Sequence, residues 1–244
     1  MPLTRETFGT RILNVLYPPR CFVCGEIMMP GDICCPECAS KIPYIRTKRC
    51  RRCGKPVEDD QDLCGDCLTK SHVCTEGFGA LIYEDVMQRA IAAFKYEDRR
   101  EYGKALGTLT YREAREKLME WEADVLIPVP LHLSRFLKRG FNQAELVAEQ
   151  ISALSGIPMR TDLLQRVEKT GAMKLLSAKG RSRETAHAFS MKGELGDIKR
   201  IILVDDIYTT GSTVDAAAAP LFKAGAEEVF FLAVCIGAGF MVEW

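Results

Sequence analysis

Long apolar runs are missing from this chain of 244 residues. The longest stretch without a charge, residues 229–242, has 14 residues and includes Gly237 and Gly239, whereas a bilayer span takes about 20. Membrane insertion is therefore not expected. Net charge is missing too. With 33 Lys and Arg against 33 Asp and Glu, no global field draws the chain onto nucleic acid or an anionic surface, so any such affinity falls to local clusters. Histidine is scarce: His72, His132 and His187 are scattered and none stands in a ligand or base arrangement, so each reads as structural or exposed. The opening Met1-Pro-Leu-Thr-Arg-Glu has neither the apolar core nor the small-residue cleavage site of a secretion signal, which points to the cytoplasm. No G-x-x-x-x-G-K-[ST] string occurs anywhere, which removes the P-loop nucleotide hydrolases. After residue 74 cysteine is nearly absent, Cys235 alone remaining.

What is present is uneven. Ten of the eleven cysteines fall between Cys21 and Cys74, and in a reducing compartment that argues for metal rather than a disulfide framework. The spacing is Cys21-x2-Cys24, ten residues, Cys35-x2-Cys38, repeated as Cys50-x2-Cys53, ten residues, Cys64-x2-Cys67. A two-residue gap lets both thiolates of a pair reach one ion at about 2.3 Å, and two pairs close a tetrahedral shell with no open position, as structural zinc requires. Two Zn²⁺ sites are predicted, sequential in order, with an interleaved cross-brace as the alternative and Cys34 as a competitor for the place of Cys35. Gly25 and Gly54 follow the first pair of each unit, where the backbone has to turn around the metal. A segment so poor in large apolar residues cannot fold on its own core, so metal binding supplies its stability.

The cysteine distribution divides the chain into residues 1–76, an N-terminal helix with the double ribbon, and residues 77–244. In the second part, short aliphatic runs at 79–83, 125–129, 200–205 and 229–235 alternate with helical periods at 86–94, 101–121, 142–154 and 213–224. This pattern predicts an α/β fold, a parallel sheet with flanking helices. Pro220 lies inside the last helix and predicts a kink or early break there. Residues 160–199 are polar and weakly patterned and read as a long loop or hood.

The strand at 200–204 runs into Asp205-Asp206, then Ile207-Tyr208-Thr209-Thr210-Gly211-Ser212-Thr213 and a helix. Two carboxylates at the carboxyl end of a parallel strand stand where open α/β sheets bind ligands, and they can accept hydrogen bonds from vicinal ribose hydroxyls. The hydroxyls of Thr209, Thr210, Ser212 and Thr213, with Gly211 and the N–H groups opening the next helix, form a cradle for phosphate. Lys95, Arg135, Lys138 and Arg139 are candidate cations for the rest of such a ligand. Two basic runs stand apart from these: Arg46, Lys48, Arg49, Arg51, Arg52 and Lys55, and then Arg166, Lys169, Lys174, Lys179, Arg181 and Arg183.

On the strand, the two acids and the Thr/Ser/Gly loop, the second part resembles the type I phosphoribosyltransferases. The whole chain is similar to the ComF family of competence-associated proteins in Leu16-Tyr-Pro-Pro-Arg-Cys21, Phe94-Lys95-Tyr96, Ile127-Pro-Val-Pro-Leu131, Arg139-Gly-Phe-Asn-Gln143, Leu176 with Arg181, and residues 204–213. The resemblance implies a phosphoribosyltransferase-type domain behind a double zinc ribbon, binding 5-phosphoribosyl-1-pyrophosphate (PRPP) with Mg²⁺. Asp205 and Asp206 would hold the ribose hydroxyls, Thr209, Thr210, Gly211, Ser212 and Thr213 the 5-phosphate, and Lys95 and Arg139 the pyrophosphate. Met173 and Glu184 stand where the resemblance leads one to expect Gln and Asn. Two functions follow from it: pentosyl transfer to an acceptor, or a non-catalytic PRPP sensor or single-stranded DNA-binding competence factor. A family member is expected to work with internalised single-stranded DNA and a helicase-like competence partner.

Overall fold

Each CxxC unit folds as a tight turn followed by a short helix that begins directly after the third cysteine of its set: α1 (Pro36–Ala39) after Cys35 and α2 (Gly65–Thr69) after Cys64. The computed structural model describes residues 18–29, 31–167 and 188–238. The N-terminal helix expected before Cys21 falls outside them. So do Met173, Leu176, Arg181, Glu184 and His187.

After the ribbons come β1 (Glu76–Ile82), α3 (Asp85–Tyr96), α4 (Tyr102–Trp121), β2 (Val125–Pro128), α5 (Leu133–Arg139), α6 (Gln143–Ser155), β3 (Leu164–Arg166), β4 (Phe189–Met191), β5 (Arg200–Tyr208), α7 (Ser212–Lys223) and β6 (Glu228–Ile236). The sheet order is β1-β6-β5-β2 and every pair is parallel, so the predicted α/β class holds. Strands buried on both faces carry near-continuous apolar text, as in Ile201-Ile202-Leu203-Val204 and Val229-Phe230-Phe231-Leu232.

Strand alternation sends these residues to opposite sides. Ile202, Val204, Leu232 and Val234 meet Phe94, Leu106, Trp121, Val147 and Ile151 from α3, α4 and α6. Ile201, Leu203, Phe231 and Ala233 meet Val214, Ala217 and Leu221 from α7, Leu164 and Phe189 from the β3–β4 pair, and the cysteines of the second ribbon. The second ribbon is thus built into the sheet's core. The sulfurs of the first ribbon form a small separate cluster with Met28.

Three features depart from the sequence reading. Helix α7 continues through Pro220 to Lys223, so the early break does not occur; the proline forfeits one hydrogen bond and leaves the about two turns before it intact. Helix α5 was unexpected; Leu133, Phe136 and Leu137 stand at helical spacing on it but remain exposed, and about two turns are too few to establish a period. The polar region at 160–199 contains the antiparallel β3–β4 pair, whose three-residue strands are too short to show a period of two.

At Gly54 the ribbon backbone lies directly against the sheet. Its φ is 76°, and a Cβ there would lie 2.8 Å from the Gly77 carbonyl oxygen. Gly25, the equivalent turn of the first ribbon, has φ 78° but no atom of the described residues within 4 Å of a built Cβ. Gly25→Ala should cost only the backbone penalty, roughly 1 kcal/mol. Gly54→Ala adds a backbone clash and should cost about 3 kcal/mol. Thermal unfolding of the two variants checks the difference, and equal losses would contradict the contact.

Candidate functional site

The four sulfurs of Cys21, Cys24, Cys35 and Cys38 lie within 4.8 Å of one another, as do those of Cys50, Cys53, Cys64 and Cys67. Sulfurs at 2.3 Å from a common tetrahedral centre are about 3.8 Å apart, and the structure has Cys24 and Cys35 at 3.7 Å and Cys53 and Cys64 at 3.5 Å. The donor sets fit Zn²⁺. The pairing is sequential, not interleaved, and Cys35 rather than Cys34 joins the cluster. In the second set the Cys53 and Cys64 side chains hydrogen-bond to Cys50 and hold its thiol far below its usual pKa, while partnership with Cys50 drives Cys53 far above. The two Cys₄ sites hold structural zinc and leave no coordination position for chemistry.

At the other candidate site, strand length makes the geometry. β2 ends at Pro128, which pairs with Val204, while β5 continues four residues further to Tyr208. Asp205 and Asp206 therefore stand beside the place where β2 has stopped, in the crevice at the carboxyl ends of the strands. Asp206 is buried and both its oxygens lie 2.9 Å from Lys95 Nζ, near the end of α3. Asp205 is half-buried and accepts the Asp206 amide at 2.8 Å. Loss of hydration pushes its carboxyl up to about 7, the Asp206 charge adds to that, and the Asp206 amide, Lys95 and Arg166 pull it back.

The chain then turns through exposed Thr209 and Thr210 into Gly211, with φ 80°, and α7 opens with Ser212. No side chain caps that helix; Thr210 and Ser212 share a hydroxyl contact at 3.0 Å. Free N–H groups, a positive dipole end and a cluster of hydroxyls suit an anion. Arg139 lies over the Tyr96 ring, 5.0 Å from its centroid, and donates to Gln143 Oε1 at 2.9 Å. It is thus held next to the residue that follows Lys95.

A double zinc ribbon domain model matches residues 12–68. Competence protein F from Haemophilus influenzae is 31% identical over 219 residues, covering 86% of this chain and 93% of that protein. The chain belongs to the ComF family. The DNA utilization protein YhgH from Salmonella typhimurium is 29% identical over 204 residues, covering 82% of this chain and 89% of that protein. Among solved structures, a purine phosphoribosyltransferase from Pyrococcus horikoshii Ot3 is similar over 54% of this chain and 73% of its own, at 20% identity and a TM-score of 0.34. No described helix is long and apolar enough to cross a membrane.

In this ComF-family chain the basic run at 46–55 is only half a surface. Arg49 donates to the Gly79 carbonyl at 2.7 Å and lies over Phe78, Arg52 donates to the His72 carbonyl at 2.7 Å, and Lys55 is buried against Asp66 at 2.5 Å. Arg46, Lys48 and Arg51 stay exposed. Of the second run only Arg166 is described. It lies over the Phe189 ring at 5.2 Å; burial holds its guanidinium below the usual pKa, Arg135 adds to that and the charge of Asp205 opposes it, which makes it a neighbour of the acids that its place in a charge run concealed. His132 caps α5 by accepting the Ser134 amide at 3.2 Å. His72, read from the sequence as structural or exposed, lies against Gly211 and Asp215; no local spacing could have announced a partner 143 residues away.

Two outcomes follow. Elemental analysis should return two zinc per chain, and Cys53→Ser should lower the melting temperature more than Cys24→Ser, because only the second cluster lies in the sheet's core. Equal losses would contradict that packing. For Asp205, a folded pKa near 7 against an unfolded value of about 4 means that the unfolded state ionises first. Its contribution to the stability of the unliganded protein is then lost as pH rises from about 4 through 7. Asp205→Asn should gain on wild type in melting temperature between pH 5 and pH 8, and a constant difference would contradict the shift.

Proposed function

We propose that this chain binds PRPP with Mg²⁺ at the carboxyl end of β5 and acts as a phosphoribosyltransferase. The observation that carries this reading is the extension of β5 past β2, which presents two adjacent carboxylates and leads within five residues into an uncapped helix N-terminus rich in hydroxyls. Asp205 and Asp206 accept hydrogen bonds from the two ribose hydroxyls. Residues 209–213 take the 5-phosphate through N–H and O–H donors. Lys95 neutralises Asp206, so that two carboxylates and a polyanionic ligand can share one crevice, and with Arg139 it supplies charge toward the pyrophosphate. Mg²⁺, arriving with PRPP, adds further countercharge on the leaving group. In the transferase an acceptor nucleophile bonds to ribose C1 as the C1–oxygen bond breaks, and the electron pair leaves with pyrophosphate.

Mg²⁺ with PRPP should raise the melting temperature of the wild type, since a ligand bound only by the folded state at 100 times its Kd stabilises it by about 2.7 kcal/mol. Asp205→Asn combined with Asp206→Asn should remove the shift and leave a folded protein. An unchanged wild-type melting temperature in millimolar PRPP would contradict the site. Pyrophosphate release that needs both an acceptor and the two acids marks a transferase, and binding without release marks a sensor.

Single-stranded DNA is a second ligand. It is favoured by the names of the relatives, a competence protein and a DNA utilization protein, and by the exposed Arg46, Lys48 and Arg51. Three such contacts give a shallow salt dependence, with a slope of roughly 2 on a logarithmic plot. Arg51→Glu should weaken binding and flatten that slope. Absence of binding to an oligonucleotide at low salt would remove this reading.

A further inference from the structure

Asp215 presents a problem for the phosphate loop. It lies in the first turn of α7, and its amide donates to the Gly211 carbonyl at 2.8 Å. A free carboxylate one turn into this helix would oppose an anion at the helix start. The structure disposes of that charge through the segment that joins the second ribbon to β1. His72 Nδ1 donates to Asp215 Oδ2 at 2.8 Å, and the Val73 amide donates to Asp215 Oδ1 at 2.8 Å. Both carboxylate oxygens are held on the linker side.

His72 also touches the loop itself. A Cβ on Gly211 would lie 2.8 Å from His72 Cε1, His72 Nδ1 and the Tyr208 hydroxyl oxygen, so the imidazole is packed against the glycine whose positive φ makes the turn. The His72 side chain is only 6% exposed, and its Nε2 has no hydrogen-bond partner among the described residues. A buried nitrogen left unsatisfied costs stability; the contacts with Asp215 and Gly211 are the visible return. Behind the ring, Arg52 donates to the His72 carbonyl at 2.7 Å and neighbours the zinc ligand Cys53, while buried Lys55 lies 5.9 Å from the centroid of the Tyr208 ring.

We infer that His72 is a positioning residue for the phosphate loop: it ties the second zinc ribbon to that loop, holds the Asp215 carboxylate away from the bound phosphate, and braces the turn at Gly211. The inference rests on the PRPP reading. It assigns the second ribbon a part in ligand affinity beyond its own folding.

The test measures the apparent Kd for PRPP in Mg²⁺, from melting shifts across a concentration series, on the full zinc-loaded chain. His72→Ala should weaken binding at least tenfold with both zinc ions retained. His72→Asn keeps a donor in the place of Nδ1 and should recover most of the affinity, whereas His72→Phe fills the space without a donor and should not. Adding Asp215→Asn to His72→Ala should restore part of the loss by removing the repelling charge. If the alanine variant fails to fold, the asparagine and phenylalanine variants decide the matter, since they differ in the donor. Wild-type affinity in His72→Ala or His72→Phe would overturn the inference and leave the PRPP site standing. No melting shift in the wild type would overturn both.

Discussion

Four sulfurs, those of Cys50, Cys53, Cys64 and Cys67, are buried in the same apolar cluster as Ile201, Leu203 and Phe231 of the central sheet, and much of the structure depends on that placement. A thiolate cluster packed into a core needs its countercharge at the site, which zinc supplies. Once it is closed, the ribbon gives the sheet a rigid neighbour. Gly54 backs directly onto the Gly77 carbonyl, Arg52 donates to His72, and Lys55 with Asp66 forms a buried ion pair beside Tyr208. The first Cys₄ site clusters separately with Met28, and its ribbon meets the opposite face of the sheet through Phe22 and Ile42 instead of through its sulfurs.

Charge placement follows the same logic. Two adjacent carboxylates at the end of β5 would repel each other and any phosphate ligand, and alternation along the strand separates their surroundings. Asp206 reaches Lys95 on one side, while Asp205, which feels the charges of Lys95 and Arg166 without an ion pair of its own among the described residues, takes up the burial and bears the raised pKa. A third carboxylate, Asp215, is turned onto His72 and Val73. Each acid near the crevice has a defined donor, which leaves the opening turn of α7 free for an anion.

Much of this was legible in the sequence, for identifiable reasons. The two zinc sites follow from a spacing repeated to the residue, and tetrahedral geometry leaves such a pattern few other outcomes. The acids and the Thr/Ser/Gly loop form one continuous segment, so residues 205–213 could be read together. Helix α5 was hidden because its seven residues make only about two turns, and the β3–β4 pair because three residues carry no period. The basic run at 46–55 misled in part: composition gives charge but not direction, and Arg49, Arg52 and Lys55 point inward to carbonyls and Asp66. His72 and Arg166 meet their partners only through tertiary contact.

Amide hydrogen exchange on the full chain, compared before and after zinc is removed by a chelator, bears most directly on the coupling of ribbon and sheet. If the second ribbon is part of the core that carries the turn at Gly211, protection should fall together at residues 50–67, along β1 and at residues 208–215, while α4 stays protected. A loss of protection confined to the cysteine segments, with residues 208–215 unchanged, would contradict it.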